Sequence, residues 1–432
     1  MKNEQPEELK REIGILDVAI NVVNISIASG IFLLPALIAG ILGNVSFMAY
    51  ILCGTLFLCI ALCYAEVSSR ITSTGGAYTY MENAFGKFIG FIGNSLVWFG
   101  CGVLVSAAFV NGIADVLSVS FPIFGNVLFR GLFFMILLGF CAFFNIKGIK
   151  QGMNVIKFIT LIKALPLVLL VIVGLFYLKS DNLHWEKLPT FKSLGEASLI
   201  LFFAFTGGEM SVNISGEMKN PNRTAPLGLL LGIVTIIVFY CLIQLVAQGV
   251  LGRDILNHKE APLAAVAGVL FGNFGVTLLT ICSVLAIFGS LNSVVLLFPR
   301  TLYAGAKDGA LPHFLSKIHP QYATPYWSII VFCGMAFLVA ISGGFQQLII
   351  LATASILLIH LGVVLAVIKC QLKKEIVPTT SFKLYGGLTI PIIALVVIIW
   401  LLFQLKPDEV LAMGIFMGIL SVIYLAFNGE KS

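Results

Sequence analysis

The sequence predicts an all-α polytopic membrane protein with twelve transmembrane helices. The 432-residue chain is 59% hydrophobic and only 11% charged, about half the charged fraction of a soluble domain of this size. Apolar runs of about 20 residues, each long enough to cross the hydrocarbon core as a helix, recur along almost the whole chain. A membrane β-barrel would instead show alternating segments of about ten residues, and we find no such pattern.

We place the twelve spans by these apolar runs. They fall at 13–40, 44–69, 88–117, 126–146, 152–178, 194–218, 226–250, 263–299, 326–342, 346–368, 385–404 and 409–427. Of the 26 Lys and Arg residues, 17 lie on the side that carries both termini, 6 on the opposite side and 3 within spans. Since positive residues concentrate in cytoplasmic loops, residues 1–12 and the C-terminus are expected to be cytoplasmic tails of a protein in the cell membrane.

Two predicted spans contain poor helix formers at their centre. The first includes NISIASGIFLLPALIAG, residues 24–40, and the sixth includes Gly207 and Gly208. Packing alone explains one such break, because glycine and proline are common in membrane helices. Two breaks at matching positions of two five-span sets indicate an inverted-repeat transporter with its site at the breaks. We therefore predict repeats over 13–179 and 193–370, followed by spans eleven and twelve in 371–432.

The two breaks have complementary chemistry. Unwinding at Ser29, Gly30 and Ile31 would leave backbone N–H groups at the start of a half-helix, which suits an anion such as a carboxylate. A break at Phe205–Gly207 would leave carbonyls at the end of a half-helix, which suits an ammonium group. A zwitterionic amino acid carries both groups. Metal spacing, a nucleotide cradle and a catalytic set are all lacking from the sequence, so we predict no metal, no cofactor and no enzymatic activity.

Several motifs resemble the amino acid–polyamine–organocation (APC) superfamily of transporters. ASGIFLLPA at 28–36 is similar to its span-one signature, and STGGAYTY at 73–80 to the motif before span three. FTGGE at 205–209 and EMKNPNRTAP at 217–226 resemble the span-six motif and the loop after it. AKDGALP at 306–312 resembles the end of span eight. The resemblance covers nearly the whole chain.

This resemblance implies a leucine-transporter-like fold of five plus five spans that works by alternating access. It also implies that the substrate carboxylate meets the span-one amides near Ser29, Gly30 and Ile31. The substrate amine would then meet carbonyls near Ile25 or Ser26 in span one and Phe205 in span six.

Lys163 lies deep within span five, in FITLIKALPLVLL. An ionisable residue at that depth is functional by default, although a structural cation paired with carbonyls is an alternative. The resemblance places the lysine of sodium-independent relatives here, bridging span one near Asn24 or Ile25 and span eight near Ser290. We therefore expect no sodium coupling, and leave open whether Lys163 carries a proton or acts as a permanent brace.

Glu209 follows the second break and is predicted to sense protons or gate transport, the alternative being a carboxyl that packs within the bundle. Lys163, Glu209 and Ser290 form the predicted coupling and gating set. The predicted substrate-binding set is Ile25, Ser26, Ala28, Ser29, Gly30, Ile31, Ala107, Asn111, Phe205, Thr206, Gly207, Val294 and Ser355.

These small, mostly apolar side chains favour a neutral amino acid as substrate. Arginine–agmatine exchangers of the superfamily place an aromatic residue where Val294 falls, so the platform for a cation–π contact is missing here. Cationic amino acids and polyamines remain alternative substrates, and the mode is either exchange or proton symport. The expected partners are the amino acid, protons in the symport case, and the lipid bilayer. Nucleic acid is not expected, because the net charge of +6 follows from topology.

Overall fold

The computed structural model is helical in the residues that it describes, apart from short connections and one isolated β-bridge between Ile13 and Met218. It describes residues 13–70, 76–147, 153–184, 188–209, 211, 218–307, 311–322, 324–373, 382 and 386–428, without the side chains of 153–161, 221, 304, 423 and 426–428. The predicted tail at 1–12, residues 73–75, Glu217 and residues 308–310 lie outside the described residues.

The structure describes eight α-helices in the first half of the chain. They are α1 (Ile15–Ser26), α2 (Ser29–Leu42), α3 (Ser46–Arg70), α4 (Ala77–Phe85), α5 (Lys87–Leu96), α6 (Val105–Ser118), α7 (Val127–Lys147) and α8 (Met153–Leu175). A π-helix, Val97–Leu104, joins α5 to α6 without an interruption. Such π-helical segments are rare and occur often at functional sites.

The described part of the second half also contains eight. They are α9 (Phe191–Phe205), α10 (Pro221–Leu251), α11 (Pro262–Leu297), α12 (Pro299–Lys307), α13 (Tyr326–Ser342), α14 (Phe345–Leu372), α15 (Thr389–Leu402) and α16 (Pro407–Asn428). Their starts follow helix-capping chemistry: the Thr190 hydroxyl accepts the Ser193 N–H at the start of α9. Proline occupies the first position of α10 and of α11, where its missing N–H costs nothing.

Each of the twelve predicted ranges contains all or part of a described helix. Among the described residues, six helical stretches are long and apolar enough to cross a membrane by themselves, or up to seven if the bent pair α15–α16 counts as one span. That pair bends by 111° at the connection before Pro407, where we had placed a loop between two spans. The protein is thus a multi-helix membrane protein, while the count of twelve spans and the inverted repeat remain predictions.

Close packing of α1 on α10 depends on two glycines of α10. A Cβ atom at Gly228 would lie 2.5 Å from Val18 Cβ, and one at Gly232 would lie 2.6 Å from Val22 Cβ. Small residues of this kind let membrane helices approach closely. α1 also packs against α8, and α2 against α9 and α11. These contacts hold the two halves of the first predicted span in the interior.

Candidate functional site

The first predicted span is broken between α1 and α2. α1 ends at Ser26, Ile27 and Ala28 have non-helical backbone angles, and α2 starts at Ser29. The unwound residues are therefore Ile27 and Ala28, slightly earlier than predicted, and Ser29, Gly30 and Ile31 form the first turn of α2. The N–H groups of a first turn have no partner within their helix. The donors expected for an anion are thus present at the start of α2.

The sixth predicted span is broken after α9. Phe205 ends the helix, Thr206 is extended, and Gly207 has a φ of +102°, a conformation that favours glycine. The Thr206 hydroxyl donates to the Phe203 carbonyl at 2.9 Å. The Gly207 N–H donates to Glu209 Oε2 at 2.8 Å, so the carboxylate closes the turn that follows the break.

The two breaks lie directly against each other. A Cβ atom at Gly30 would lie 2.8 Å from Ala204 Cβ, and one at Gly207 would lie 2.7 Å from Ile25 Cγ2. Both distances are shorter than ordinary van der Waals contact, so glycine is needed at each position. The crossing brings the start of α2 and the end of α9 to the same place in the protein.

A cavity of about 100 Å³ lies at this crossing. Nine of the predicted site residues line it: Ile25, Ser26, Ala28, Gly30, Thr206, Gly207, Glu209, Ser290 and Val294. Ten further lining residues were not predicted from the sequence to lie there: Asn24, Cys101, Val105, Phe109, Phe203, Ala204, Ser293, Leu297, Phe298 and Ile356. The wall is largely apolar, with hydroxyls from serine and threonine and one carboxylate.

The lining of the third predicted span differs from the prediction. Cys101, Val105 and Phe109 face the cavity, whereas Ala107 is fully buried and does not line it. The π-helix ends at Leu104, directly before this stretch. Because its bonds run from i to i+5, it shifts the phase of the helix. The lining positions recur every four residues, as on one face of a helix. The sequence does not reveal which face of this helix is turned toward the cavity.

Asn111, which we predicted to bind substrate, belongs to a polar cluster outside the cavity lining. Its side-chain amide donates to the carbonyls of Ala107 and Ala340, both at 3.0 Å, and its oxygen accepts from Arg130 Nη2 at 2.9 Å. The same Arg130 nitrogen lies 2.6 Å from Asp115 Oδ1. These bonds join α6, α7 and α13, and Asn111 does not line the cavity at the crossing.

Four other predicted residues are buried beside the cavity rather than in its lining. Ser355 donates to the Leu351 carbonyl at 3.0 Å and packs against Gly100. The Phe205 ring packs against Phe57 and Tyr240. The remaining two, Ser29 and Ile31, are fully buried in the first turn of α2. For Phe205, Ser29 and Ile31 the predicted contact with substrate is made by the backbone, and it does not require the side chain to line the cavity.

Lys163 of α8 is buried against the end of α1. Its ammonium donates to the carbonyls of Asn24 and Ile27, each at 3.3 Å, and to Ser290 Oγ at 3.4 Å. Asn24 and Ser290 are among the residues that the resemblance implies, and Ile27 is a further partner. The ammonium thus supplies positive charge and donors to carbonyls that the break leaves without helical partners.

Tyr240 of α10 joins the two breaks and was not predicted from the sequence to do so. Its hydroxyl lies 2.5 Å from the Ser26 carbonyl and 3.1 Å from the Ala204 carbonyl, and the side chain is fully buried. A tyrosine within an apolar run is a usable signal, because a buried hydroxyl needs a partner. The carbonyls of Ser26, Asn24 and Ile27 already accept hydrogen bonds from Tyr240 or Lys163. Of the two span-one carbonyls predicted to bind a substrate amine, we therefore retain that of Ile25.

A second and larger cavity, of about 760 Å³, is lined in part by residues of four helices. Leu33 and Leu37 of α2, Asp115 of α6, Phe345 of α14 and Glu409 of α16 are among its lining residues. Unlike the cavity at the crossing, it is lined by charged residues of both signs, among them Lys259, Lys406, Glu260 and Asp408.

Comparison with known proteins identifies relatives over the whole described fold. A family model described as amino acid permease matches residues 13–427. The serine/threonine exchanger SteT of Bacillus subtilis (strain 168) is 30% identical over 74% of this chain and 74% of its own length. From the same organism, the methylthioribose transporter and the branched-chain amino acid permease BcaP are each 24% identical over 99% of this chain and 95% of their own length.

Proposed function

The chain belongs to the amino acid permease family, whose members are transporters rather than enzymes, and we propose that it carries neutral amino acids across the cytoplasmic membrane by sodium-independent alternating access. The observation that carries this proposal is the crossing of the two helix breaks over one cavity. The backbone N–H groups of the first turn of α2 lie on one side of this cavity, and the last carbonyls of α9 lie on the other.

The polarity of the site supports an amino acid substrate. Free N–H groups at the start of a helix attract a carboxylate, and carbonyls at the end of a helix attract an ammonium group. In the proposed pose, the substrate carboxylate binds the amides of Ser29, Gly30 and Ile31. The substrate ammonium binds the carbonyls of Ile25 and Phe205.

The wall supports a neutral side chain. Val294 and Ser293 of α11, with Val105 and Phe109 of α6, offer apolar surface and one hydroxyl. Besides the aromatic rings that line the wall, a cationic side chain would need a fixed anion to balance its buried charge. Glu209 is the carboxylate there, and its Oε2 already accepts the Gly207 N–H. The names of SteT and BcaP refer to serine, threonine and branched-chain amino acids, which also fit this wall.

The position of Lys163 supports sodium independence. Its ammonium approaches three oxygen atoms, the carbonyls of Asn24 and Ile27 and the hydroxyl of Ser290. Hard cations in proteins bind the same kinds of oxygen. A protonated lysine supplies the charge that a bound cation would otherwise bring, so no ion needs to be taken up with the substrate.

Uptake of labelled amino acids into proteoliposomes tests the proposal. We expect uptake of at least one small or branched neutral amino acid, at an equal rate when external sodium is replaced by potassium. Vesicles preloaded with unlabelled substrate distinguish exchange, which needs an internal substrate, from proton symport, which proceeds into empty vesicles down a proton gradient.

Specific results would overturn parts of the proposal. A strict sodium requirement would overturn the role given to Lys163. Uptake confined to arginine, lysine or polyamines would overturn the neutral-substrate assignment, and uptake of methylthioribose alone would overturn amino acid transport altogether.

A further inference from the structure

Three polar side chains form a buried row beside the second break. The Tyr64 hydroxyl of α3 lies 2.9 Å from His360 Nδ1 of α14. On the other side of the imidazole, His360 Nε2 lies 3.8 Å from Glu209 Oε1. All three side chains are at most 1% exposed. The row therefore joins two helices to the segment that follows α9.

The row is held rigidly at its centre and left incomplete at one end. The rings of Phe57, Phe202 and Tyr64 pack edge-on against the His360 ring, with centroids 6.1, 5.9 and 5.4 Å away. The 3.8 Å gap exceeds a hydrogen bond, and within the described part of the chain neither Glu209 Oε1 nor His360 Nε2 has another hydrogen-bond partner. A relative movement of less than about 1 Å would join them.

We propose that His360, oriented by Tyr64, is the positioning residue that sets the pH at which Glu209, the predicted proton-sensing carboxylate, binds its proton. This inference rests on the proposed transport function. It adds two residues to the predicted coupling and gating set, and neither of them lines the substrate cavity.

Hydrogen bonding along the row explains how it would act. When the Tyr64 hydroxyl donates to Nδ1, the neutral imidazole carries its hydrogen on Nε2, directed at Glu209. An ionised Glu209 then accepts from the Gly207 N–H through Oε2 and, after a small movement, from His360 through Oε1. Protonation makes the carboxyl a weaker acceptor, so both contacts weaken. Proton binding would thus loosen the turn after α9 from α14.

Other titratable groups surround the row. Cys63 of α3, Tyr80 of α4 and Cys101 of the π-helix lie close enough to Tyr64 or Glu209 to interact with them electrostatically, and among the described residues His360 is the basic side chain beside the carboxyl. Lys163 contacts α1 and α11 instead. Glu209 also lines the substrate cavity, so its charge faces both the substrate and His360.

The test measures amino acid binding and exchange by the full-length protein from acidic to alkaline pH. In Glu209→Gln, we expect the pH dependence of exchange to disappear. In His360→Leu, the ionised carboxyl of Glu209 loses a hydrogen-bond donor. The midpoint of the pH dependence of exchange should therefore move to higher pH by about one unit. Tyr64→Phe should shift this midpoint in the same direction by a smaller amount. His360→Gln keeps a hydrogen-bond donor, so its midpoint should lie closer to the wild-type value.

A matched control is Gln244→Leu. Its amide donates to Ser46 Oγ at 2.7 Å in another buried contact, between α10 and the start of α3. This variant loses a buried hydrogen bond of the same kind, and its midpoint should equal that of the wild type. If His360→Leu fails to fold by size-exclusion chromatography, Tyr64→Phe and His360→Gln decide the outcome, because both nearly conserve side-chain volume.

Two results would overturn the inference alone: an unchanged midpoint in the variants at His360 and Tyr64, or a pH dependence that persists in Glu209→Gln while the wild type binds amino acids. A wild-type protein that binds no amino acid at any pH would instead overturn the proposed function, and this inference with it.

Discussion

The two helix breaks at the centre of the protein are stabilised in different ways. The break between α1 and α2 is held by side chains of other helices, Lys163 of α8 and Tyr240 of α10. The break after α9 is closed mainly by its own neighbours, with Glu209 accepting the Gly207 N–H and Thr206 donating to Phe203.

This difference indicates a division of labour. Carbonyls fixed by an ammonium and a hydroxyl from outside the span keep one geometry, which suits an anchor for the substrate. A turn closed by a titratable carboxylate changes when that carboxylate gains a proton. We interpret the first break as the fixed part of the site and the second as the responsive part. The variants below test this contrast, from the largest expected effect to the smallest.

Gly30→Val should have the largest effect. The added side chain would collide with Ala204 of α9, since even a Cβ atom at Gly30 would lie 2.8 Å from Ala204 Cβ. The two breaks would be forced apart, and we expect substrate binding to fall by at least about 100-fold, the equivalent of nearly 3 kcal/mol. Gly334→Val is the control, because a Cβ atom there meets nothing within 4 Å. Retained affinity in Gly30→Val would contradict the site assignment.

Lys163→Ala should lower the exchange rate by about 10- to 100-fold. The carbonyls of Asn24 and Ile27 lose a charged donor, a loss of about 1.5–3 kcal/mol. Lys369→Ala is a matched control, since Lys369 donates to the Ala84 carbonyl at 2.6 Å away from the cavity. Proteoliposome exchange of both variants measures the difference. Equal rates in Lys163→Ala and the wild type would refute a fixed first break.

Tyr240→Phe should weaken substrate binding about fivefold, because one buried hydrogen bond that links the breaks is worth about 1 kcal/mol. Tyr50→Phe provides the control. The Tyr50 hydroxyl is buried nearby on α3, with no hydrogen-bond partner in the described residues, so its removal should leave affinity unchanged. Substrate titrations that weaken equally in the two variants would show that Tyr240 does not link the breaks.

Thr206→Val should have the smallest effect, a loss of about twofold in substrate affinity. It removes the hydroxyl that donates to Phe203 and lines the cavity, while the turn keeps its Gly207–Glu209 bond. Thr235→Val removes a similar hydroxyl, which donates to the Leu231 carbonyl on the exposed face of α10, and should change nothing. A loss of substrate affinity as large as that of Tyr240→Phe would contradict the claim that the carboxylate holds the second break.

The sequence predicted the features that depend on composition and on local backbone chemistry. Apolar runs located the helices, and clustered Ser, Gly and Pro residues located both breaks, because such residues disfavour a continuous helix. Glu209 and Lys163 stood out since charge is costly in an apolar span. The partners of Lys163 at Asn24 and Ser290 came from family resemblance rather than from the sequence pattern.

Features that depend on helix rotation and on distant contacts could not be predicted. The π-helix before α6 changes which face turns inward, so Val105 and Phe109 line the cavity where Ala107 and Asn111 were expected. Nothing in the local composition indicates that shift. Tyr240 meets Ser26 across 214 positions, and that contact exists only once α10 packs on α1.

A structure with bound substrate, determined by cryo-electron microscopy, tests the central claim most directly. The ligand is the neutral amino acid that gives the fastest exchange. We predict its carboxylate within hydrogen-bond distance of the amides of Ser29, Gly30 and Ile31, and its ammonium near the carbonyls of Ile25 and Phe205. Density in the opposite orientation, or only in the larger cavity lined by Asp115 and Glu409, would contradict the account.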